Sequence, residues 1–115
     1  MKFLRICVFL SVLCFQACAD TIEQKPQQLL AQEKMADVLV DVRLLEGAYA
    51  GDFQRVDTSE YGIGAYYEQL FVKHGITRSV FLESNEYYAL HPEALLRIET
   101  EVARKLDSLS AATPQ

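Results

Sequence analysis

Lys73-His74-Gly75-Ile76-Thr77, followed by Phe81, Ser84, Tyr87-Tyr88 and His91-Pro92, is the stretch from which the fold can be read. Lys73 and His74 are the positive or donor groups that suit the last turn of a helix, where free carbonyls gather. Gly75 fits the left-handed position just past a helix end, and Ile76 fits the apolar residue after it. Thr77 can then cap a new helix through its hydroxyl. His91-Pro92 breaks the chain again, because a residue before proline is pushed out of helical geometry while proline suits a first helical turn. One helix therefore ends near His74, a second runs from Thr77 to His91, and a third starts at Pro92.

Working outward, Leu95, Ile98, Val102, Leu106 and Leu109 form one stripe on the last helix, and the tail from Ala111 to Gln115 is expected to fray. Phe81, Ser84, Asn85 and Tyr88 share one side of the helix before it, with Ser84 small enough for close helix approach. Ile63, Tyr67, Leu70, Phe71 and His74 share a face of the helix before that. Asp57 with Glu60 resembles a capping box for its start, although Gly62 and Gly64 weaken the first turn. Gly51 to Ser59 is the longest irregular segment. The first helix is predicted from Pro26 to Ala48, with Met35, Val38, Val42, Leu45 and Tyr49 as its stripe and Gly47 and Gly51 marking its end. No segment alternates as a strand, and there is no internal repeat. The fold class is all-α: a small bundle of about four helices over residues 26–110.

The N-terminus has a different composition. Lys2 and Arg5 form a positive region, and Ile6 to Phe15 is an apolar run of ten residues. That is the layout of a secretory signal, and the run is too short to span a bilayer, which takes about 20 apolar residues. Two processing sites compete. Phe15-Gln16-Ala17-Cys18 resembles a lipobox, with Cys18 as the first mature residue and the lipidation site. Ala17-Cys18-Ala19 would instead release a soluble protein. The lipobox is favoured, because a cysteine directly after the apolar run is an odd choice for a soluble product, and a polar tether (residues 18–25) follows it. Residues 1–17 are then the signal peptide. Acyl chains on Cys18 would anchor firmly, at about 0.8 kcal/mol per buried CH₂.

The chain has 115 residues and a net charge of −5, and removing Lys2 and Arg5 with the leader leaves −7. No basic patch remains to track phosphates, so nucleic-acid binding is not expected. An acidic domain also gains nothing from anionic headgroups and needs a covalent or inserted anchor to stay on a membrane. The three cysteines, Cys7, Cys14 and Cys18, all lie near the N-terminus, so the helical domain must hold together by core packing.

Two runs of residues resemble one family. The first is Pro26, Leu30, Glu33-Lys34-Met35, Val38-Leu39, Asp41-Val42, Leu44 and Glu46. The second is Tyr67, Leu70, Lys73-His74-Gly75-Ile76-Thr77, Phe81, Ser84, Tyr87-Tyr88, His91-Pro92, Leu95, Ile98, Val102 and Leu106. Together they resemble the bacterial lipoprotein family called domain of unknown function 4296. The resemblance implies a Bacteroidota-type exported lipoprotein and brings no activity with it.

Candidate chemistry is sparse. His74 and His91 each sit at a predicted helix end, where His74 would bond free carbonyls and His91 would act as a break or cap. Two histidines alone fall short of a zinc site, and no metal or cofactor is expected. Asp41 and Glu46 emerge on opposite edges of the first helix at about 100° per residue, poorly placed to act on one substrate. Each is expected to pair with Lys, Arg or Tyr across a helix interface, Asp41 with a tyrosine hydroxyl. Tyr67 and Tyr88 fit the core, which leaves Tyr66 and Tyr87 as candidate partner-facing residues. Gly62-Ile63-Gly64 has neither the strand nor the lysine of a phosphate loop, and Ser59, Ser79 and Ser84 lack a nucleophile-elbow setting. Asp20-Thr21-Ile22 and Asp107-Ser108-Leu109 look like the O-glycosylation acceptor pattern of such envelopes, with Thr21 on the tether the better placed.

The expectation is a non-catalytic helical interaction or assembly module in the bacterial cell envelope. It is held on the inner or outer membrane by its lipid and partnered with another envelope protein. The alternatives are a periplasmic chaperone-like binding module and an enzyme acting on envelope polymers through Asp41, Glu46 or His74.

Overall fold

The computed structural model describes Met1, residues 24–51 and residues 62–113, and all regular structure among them is helical. The helices are α1 (Gln32–Gly51), α2 (Ile63–Lys73), α3 (Arg78–Ala89) and α4 (Pro92–Ala112). The all-α bundle predicted from the sequence is the fold found. Cys18, Thr21 and the Asp57/Glu60 pair lie outside the described residues.

The middle of α1 buries a wide apolar face, with Asp37 and Asp41 on its outer side. Met35, Ala36, Val38, Leu39, Val40 and Val42 are all buried. Met35, Ala36, Leu39 and Val40 join Leu30, Tyr88, Ile98 and Val102 in one core cluster, toward α3 and α4. Val38 and Val42 join Leu70 and Phe71 in a second, toward α2. Ile76 and Phe81 pack against both. An apolar face this wide must be covered by more than one neighbour. The single predicted stripe was therefore too narrow, because a second neighbour covers Ala36, Leu39 and Val40. Beyond Val42 much of α1 meets solvent, yet the helix passes through Gly47 and continues to Gly51 rather than ending near Ala48.

The start of α1 also differs from expectation. Residues 24–31 form an irregular strap, and the helix begins at Gln32 rather than Pro26. Two buried hydrogen bonds account for this. The Leu30 N–H donates to Ser84 Oγ at 3.1 Å, and the Tyr88 hydroxyl donates to the Leu30 carbonyl at 2.5 Å. The backbone polar groups of Leu30 are thus spent on α3 instead of on a helical ladder. Ser84 is completely buried, its hydroxyl used as an acceptor at the point where strap and helix meet.

The α2–α3 corner closes as the sequence predicts. The Gly75 N–H donates to the Val72 carbonyl and the Ile76 N–H to the Phe71 carbonyl, both at 3.0 Å. Gly75 has φ +67°. Thr77 is extended, and its Oγ1 accepts the Val80 N–H at 3.2 Å, capping α3. At the next corner the Leu90 and His91 N–H groups return to the Tyr87 and Tyr88 carbonyls, and Pro92 opens α4. The cap of α2 is Gly62, which offers no side-chain bond.

Two positions depart from the predicted faces, and the last helix ends later than expected. Asn85 is exposed rather than inward. On α4, Ile98 and Val102 are buried, but Leu109 is 48% exposed because the stripe outlasts the helices that cover it. α4 continues through Ala111 and Ala112, where fraying was expected, and the Thr113 hydroxyl bonds back to the Leu109 carbonyl.

Two outcomes test this account by urea or thermal unfolding. Gly75→Ala should lose about 1–2 kcal/mol, since only the left-handed backbone resists the methyl group and no neighbouring atom lies within 4 Å. Gly47→Ala, inside a helix with equally open space, should gain about 0.5–1 kcal/mol. Equal signs at the two positions would contradict it. Ser84→Ala and Tyr88→Phe should each cost about 1–3 kcal/mol by stranding a buried Leu30 group. Because both act through one residue, their effects in the double variant should be non-additive.

Candidate interaction groove

Two acidic residues of α1, Asp41 and Glu46, find partners on α2 and its C-terminal cap. Asp41 Oδ2 accepts from Lys73 Nζ and lies beside His74 Nε2, both at 2.7 Å. Glu46 accepts from the Tyr67 hydroxyl at 2.8 Å. Each carboxylate pairs across a helix interface, as expected, but the tyrosine goes to Glu46 and not to Asp41. The position of His74 is a second correction. Its ring turns to Asp41, and the last carbonyls of α2 are taken by backbone N–H groups of the corner instead. The pairings run in opposite directions along the two helices, so α1 and α2 are antiparallel. Burial pushes the Asp41 carboxyl up, but the hydrogen bonds and charges of Lys73 and His74 outweigh it and hold the group below its ordinary value. Burial, reinforced by Glu46, pushes the Tyr67 hydroxyl up.

Above this interface α1, α2 and α3 enclose an open groove of about 400 Å³. Leu39, Val42, Phe71 and Phe81 form its apolar floor, with Phe71 and Phe81 ring centroids 5.1 Å apart. Tyr67 continues the aromatic row, 6.1 Å from Phe71. The rim carries Arg43, Glu46, Arg78, Leu82 and Asn85, all exposed. Arg43 lies between Glu46 and Glu99, at 3.7 and 3.6 Å. Arg78 Nε donates to Glu68 at 2.7 Å, and its guanidinium lies 5.8 Å from the Phe71 ring centroid. Leu82, half exposed, is an apolar side chain with no core to join.

Of the residues singled out in the sequence, Glu46 lines this groove and Asp41 and His74 do not. Tyr67 lines it, whereas Tyr66 and Tyr87 do not. Tyr66 is half-buried on α2. Tyr87 packs against the first core cluster, stacks on His91 at 3.9 Å and meets Tyr88 edge-on at 5.5 Å. His91 donates from Nδ1 to the Tyr87 carbonyl at 2.7 Å. Ser108 lies on α4 with its hydroxyl bonded to the Arg104 carbonyl. Among the described residues no three of His, Cys, Asp and Glu gather where a metal could bind, and no helix is long and apolar enough to cross a membrane.

Arg43, Arg78 and Leu82 went unnoticed in the sequence, although Arg78 carries a signal. It is a cation in the first turn of α3, the end where a helix dipole favours anions, and no acidic residue accompanies it there. Leu82 stands off the apolar face of its helix.

Fold and groove together define a small all-α bundle domain with an open, aromatic-floored groove among the described residues. The chain matches the family described as Domain of unknown function (DUF4296) over residues 26–112, and it belongs to that family. No curated protein and no solved structure matches it.

The Asp41 cluster sets a pH-dependent outcome. A carboxyl whose folded pKa is lowered contributes stability above its unfolded value, and that contribution is lost as pH falls through the folded value. Asp41→Asn should therefore lower Tm at neutral pH. The gap to wild type should narrow as pH drops below the ordinary value of 3.8. A gap unchanged between neutral and acid pH would show that Asp41 is not held in this way.

Proposed function

We propose that the protein is a lipid-anchored lipoprotein of the bacterial envelope and that its helical domain is a non-catalytic interaction module working through the α1–α2–α3 groove. One observation carries this reading. The groove exposes Leu82 beside an aromatic floor, while the candidate catalytic groups Asp41, Glu46 and His74 are engaged in pairs that tie α1 to α2. Exposed apolar area next to arginine and tyrosine has the composition of a protein contact surface. The leader Met1–Ala17 and the thiol of Cys18 support the anchor. Eleven residues, Ala19 to Leu29, precede the Leu30 clamp and reach at most about 40 Å, so the domain would work near a bilayer.

A chaperone-like role fits less well. Promiscuous binders use broad, adaptable, often methionine-rich surfaces. Here the groove is small and built on aromatic rings, and Met35 is locked in the core.

Metabolic labelling with a palmitate analogue and detergent partitioning should place the wild type, but not Cys18→Ser, in the detergent phase. A photocrosslinker at position 82 should give one reproducible envelope-protein adduct that is absent when the crosslinker is at position 105 on α4. A processed chain beginning at Asp20 in the aqueous phase would remove the anchor. Absence of any adduct at position 82 would remove the module.

A further inference from the structure

We propose that residues 24–31 are a detachable strap, an intramolecular ligand that leaves its seat on α3 as a unit while the helices of the bundle stay folded. This rests on the geometry of the strap and needs neither the lipid anchor nor the groove.

The strap is held at one point. Among the described residues, the hydrogen bonds from the strap to α3 and α4 are those at Leu30, whose N–H donates to Ser84 Oγ and whose carbonyl accepts from the Tyr88 hydroxyl. Leu30 is also the one buried residue of the strap, with Pro26 and Leu29 half-buried and the others exposed. Its flanks are open. A recess of about 320 Å³ lies between Leu29 and Leu30 and the side chains of Ile76 and Val80, toward the start of α3. Another, of about 480 Å³, lies on the side of Tyr87 and Ala94, toward its end.

The helical framework does not include the strap. The ladder of α1 starts with the bond from the Met35 N–H to the Ala31 carbonyl, one residue past Leu30. Ala31 has no side chain that could cap the helix, so a single uncapped residue joins strap to helix. Once Leu30 leaves, Met35, Ala36, Leu39 and Val40 keep Ile98 and Val102 as members of their cluster. Local openings begin where few buried contacts hold a segment.

The vacated seat would have a definite preference. Ser84 and Tyr88 take the N–H and the carbonyl of one residue, a contact that reads main chain, while the first core cluster takes the leucine side chain. The chain's own strap supplies both at the high effective concentration of an intramolecular ligand, so the seat is filled at rest. A load on the N-terminus reaches Leu30 before it reaches any described helix, because the strap precedes α1.

Native-state hydrogen exchange on the detergent-solubilised full chain tests the opening. The Leu30 amide should be about tenfold or more less protected than the Val38 and Val42 amides. Its exchange should change little in low urea, where theirs accelerates with global unfolding. Equal protection with one shared urea dependence would overturn the proposal, since the strap would then leave only when the whole domain unfolds. The seat is tested in trans. Leu29→Asp/Leu30→Asp should free the strap yet keep a cooperative thermal transition and the helix content of wild type. A synthetic peptide of residues 24–31 at millimolar concentration should then shift the NMR resonances of Ser84 and Tyr88, and the same peptide carrying Leu30→Asp should not. Loss of the cooperative transition in the double variant would overturn the proposal. So would a peptide that leaves both resonances unmoved, or one that moves them without its leucine.

Discussion

The structure depends on enclosing one helix from two sides. Between Met35 and Val42, α1 buries an apolar face too wide for a single neighbour to cover, and Asp37 and Asp41 occupy its outer side, their side chains 47% and 24% exposed. Each large apolar side chain removed from water contributes about 1.5–3 kcal/mol as an upper estimate. That makes this short segment the main source of stability in a small domain. The rest of the described chain is arranged to reach both flanks. α2 takes the side of Val38 and Val42, while α3 and α4 take the side of Met35, Leu39 and Val40. The tight corners at Gly75 and at His91-Pro92 let three successive helices wrap α1 with few connecting residues. Phe81 and Ile76 sit where the two core clusters meet and join them.

The strap at Leu30 extends this logic to the way the chain enters the domain. Both backbone polar groups of Leu30 are satisfied by side chains on α3, so the segment leading into α1 is pinned to a helix far along the sequence. Ser84 and Tyr88 are one helical turn apart, which is the spacing needed to bracket a single residue from one face. Under the lipoprotein reading, this clamp is where a pull on the tether would first meet the folded domain.

How much of this could be read in the sequence depends on where each signal resides. The corner at Gly75-Ile76-Thr77 and the break at His91-Pro92 were legible because a handful of consecutive residues dictate them: a left-handed glycine, a capping hydroxyl, a ring that forbids helix before it. The start of α1 was not. Pro26 suits a first helical turn, but Leu30 is captured by residues more than fifty positions away, and Ala31 has no capping side chain to mark the true start. The pairing of Asp41 and Glu46 across helices was foreseeable as a type of contact. Which partner each takes depends on the antiparallel register of α1 and α2, which no local pattern encodes. The width of the buried face of α1 and the exposure of Leu109 are likewise decided by where neighbouring helices begin and end. The groove was hidden for the same reason, since its lining comes from three helices and only the misplaced cation Arg78 hints at it.

The contrast with the cleft between α1 and α4 explains why the groove is the better candidate for contact. That cleft, about 370 Å³, is lined by Gln32, Glu33, Asp37, Arg97, Ile98, Glu101 and Lys105. Its charges largely answer one another. Lys105 reaches Asp37 at 2.8 Å and Glu101 at 3.6 Å, Arg97 donates to Gln32, and hydrogen bonds from Arg104 hold Glu101 down to about 2. Water serves such a surface well, and a partner would have to displace favourable hydration to settle on it. The groove presents the opposite balance. Its floor is aromatic, Leu82 is an aliphatic side chain left half in water, and its arginines pair with Glu46 and Glu99 at 3.6–3.7 Å and with Glu68 at 2.7 Å. Covering it removes apolar area from solvent. Of the two surfaces, the groove is the one that leaves a large apolar side chain, Leu82, half in water.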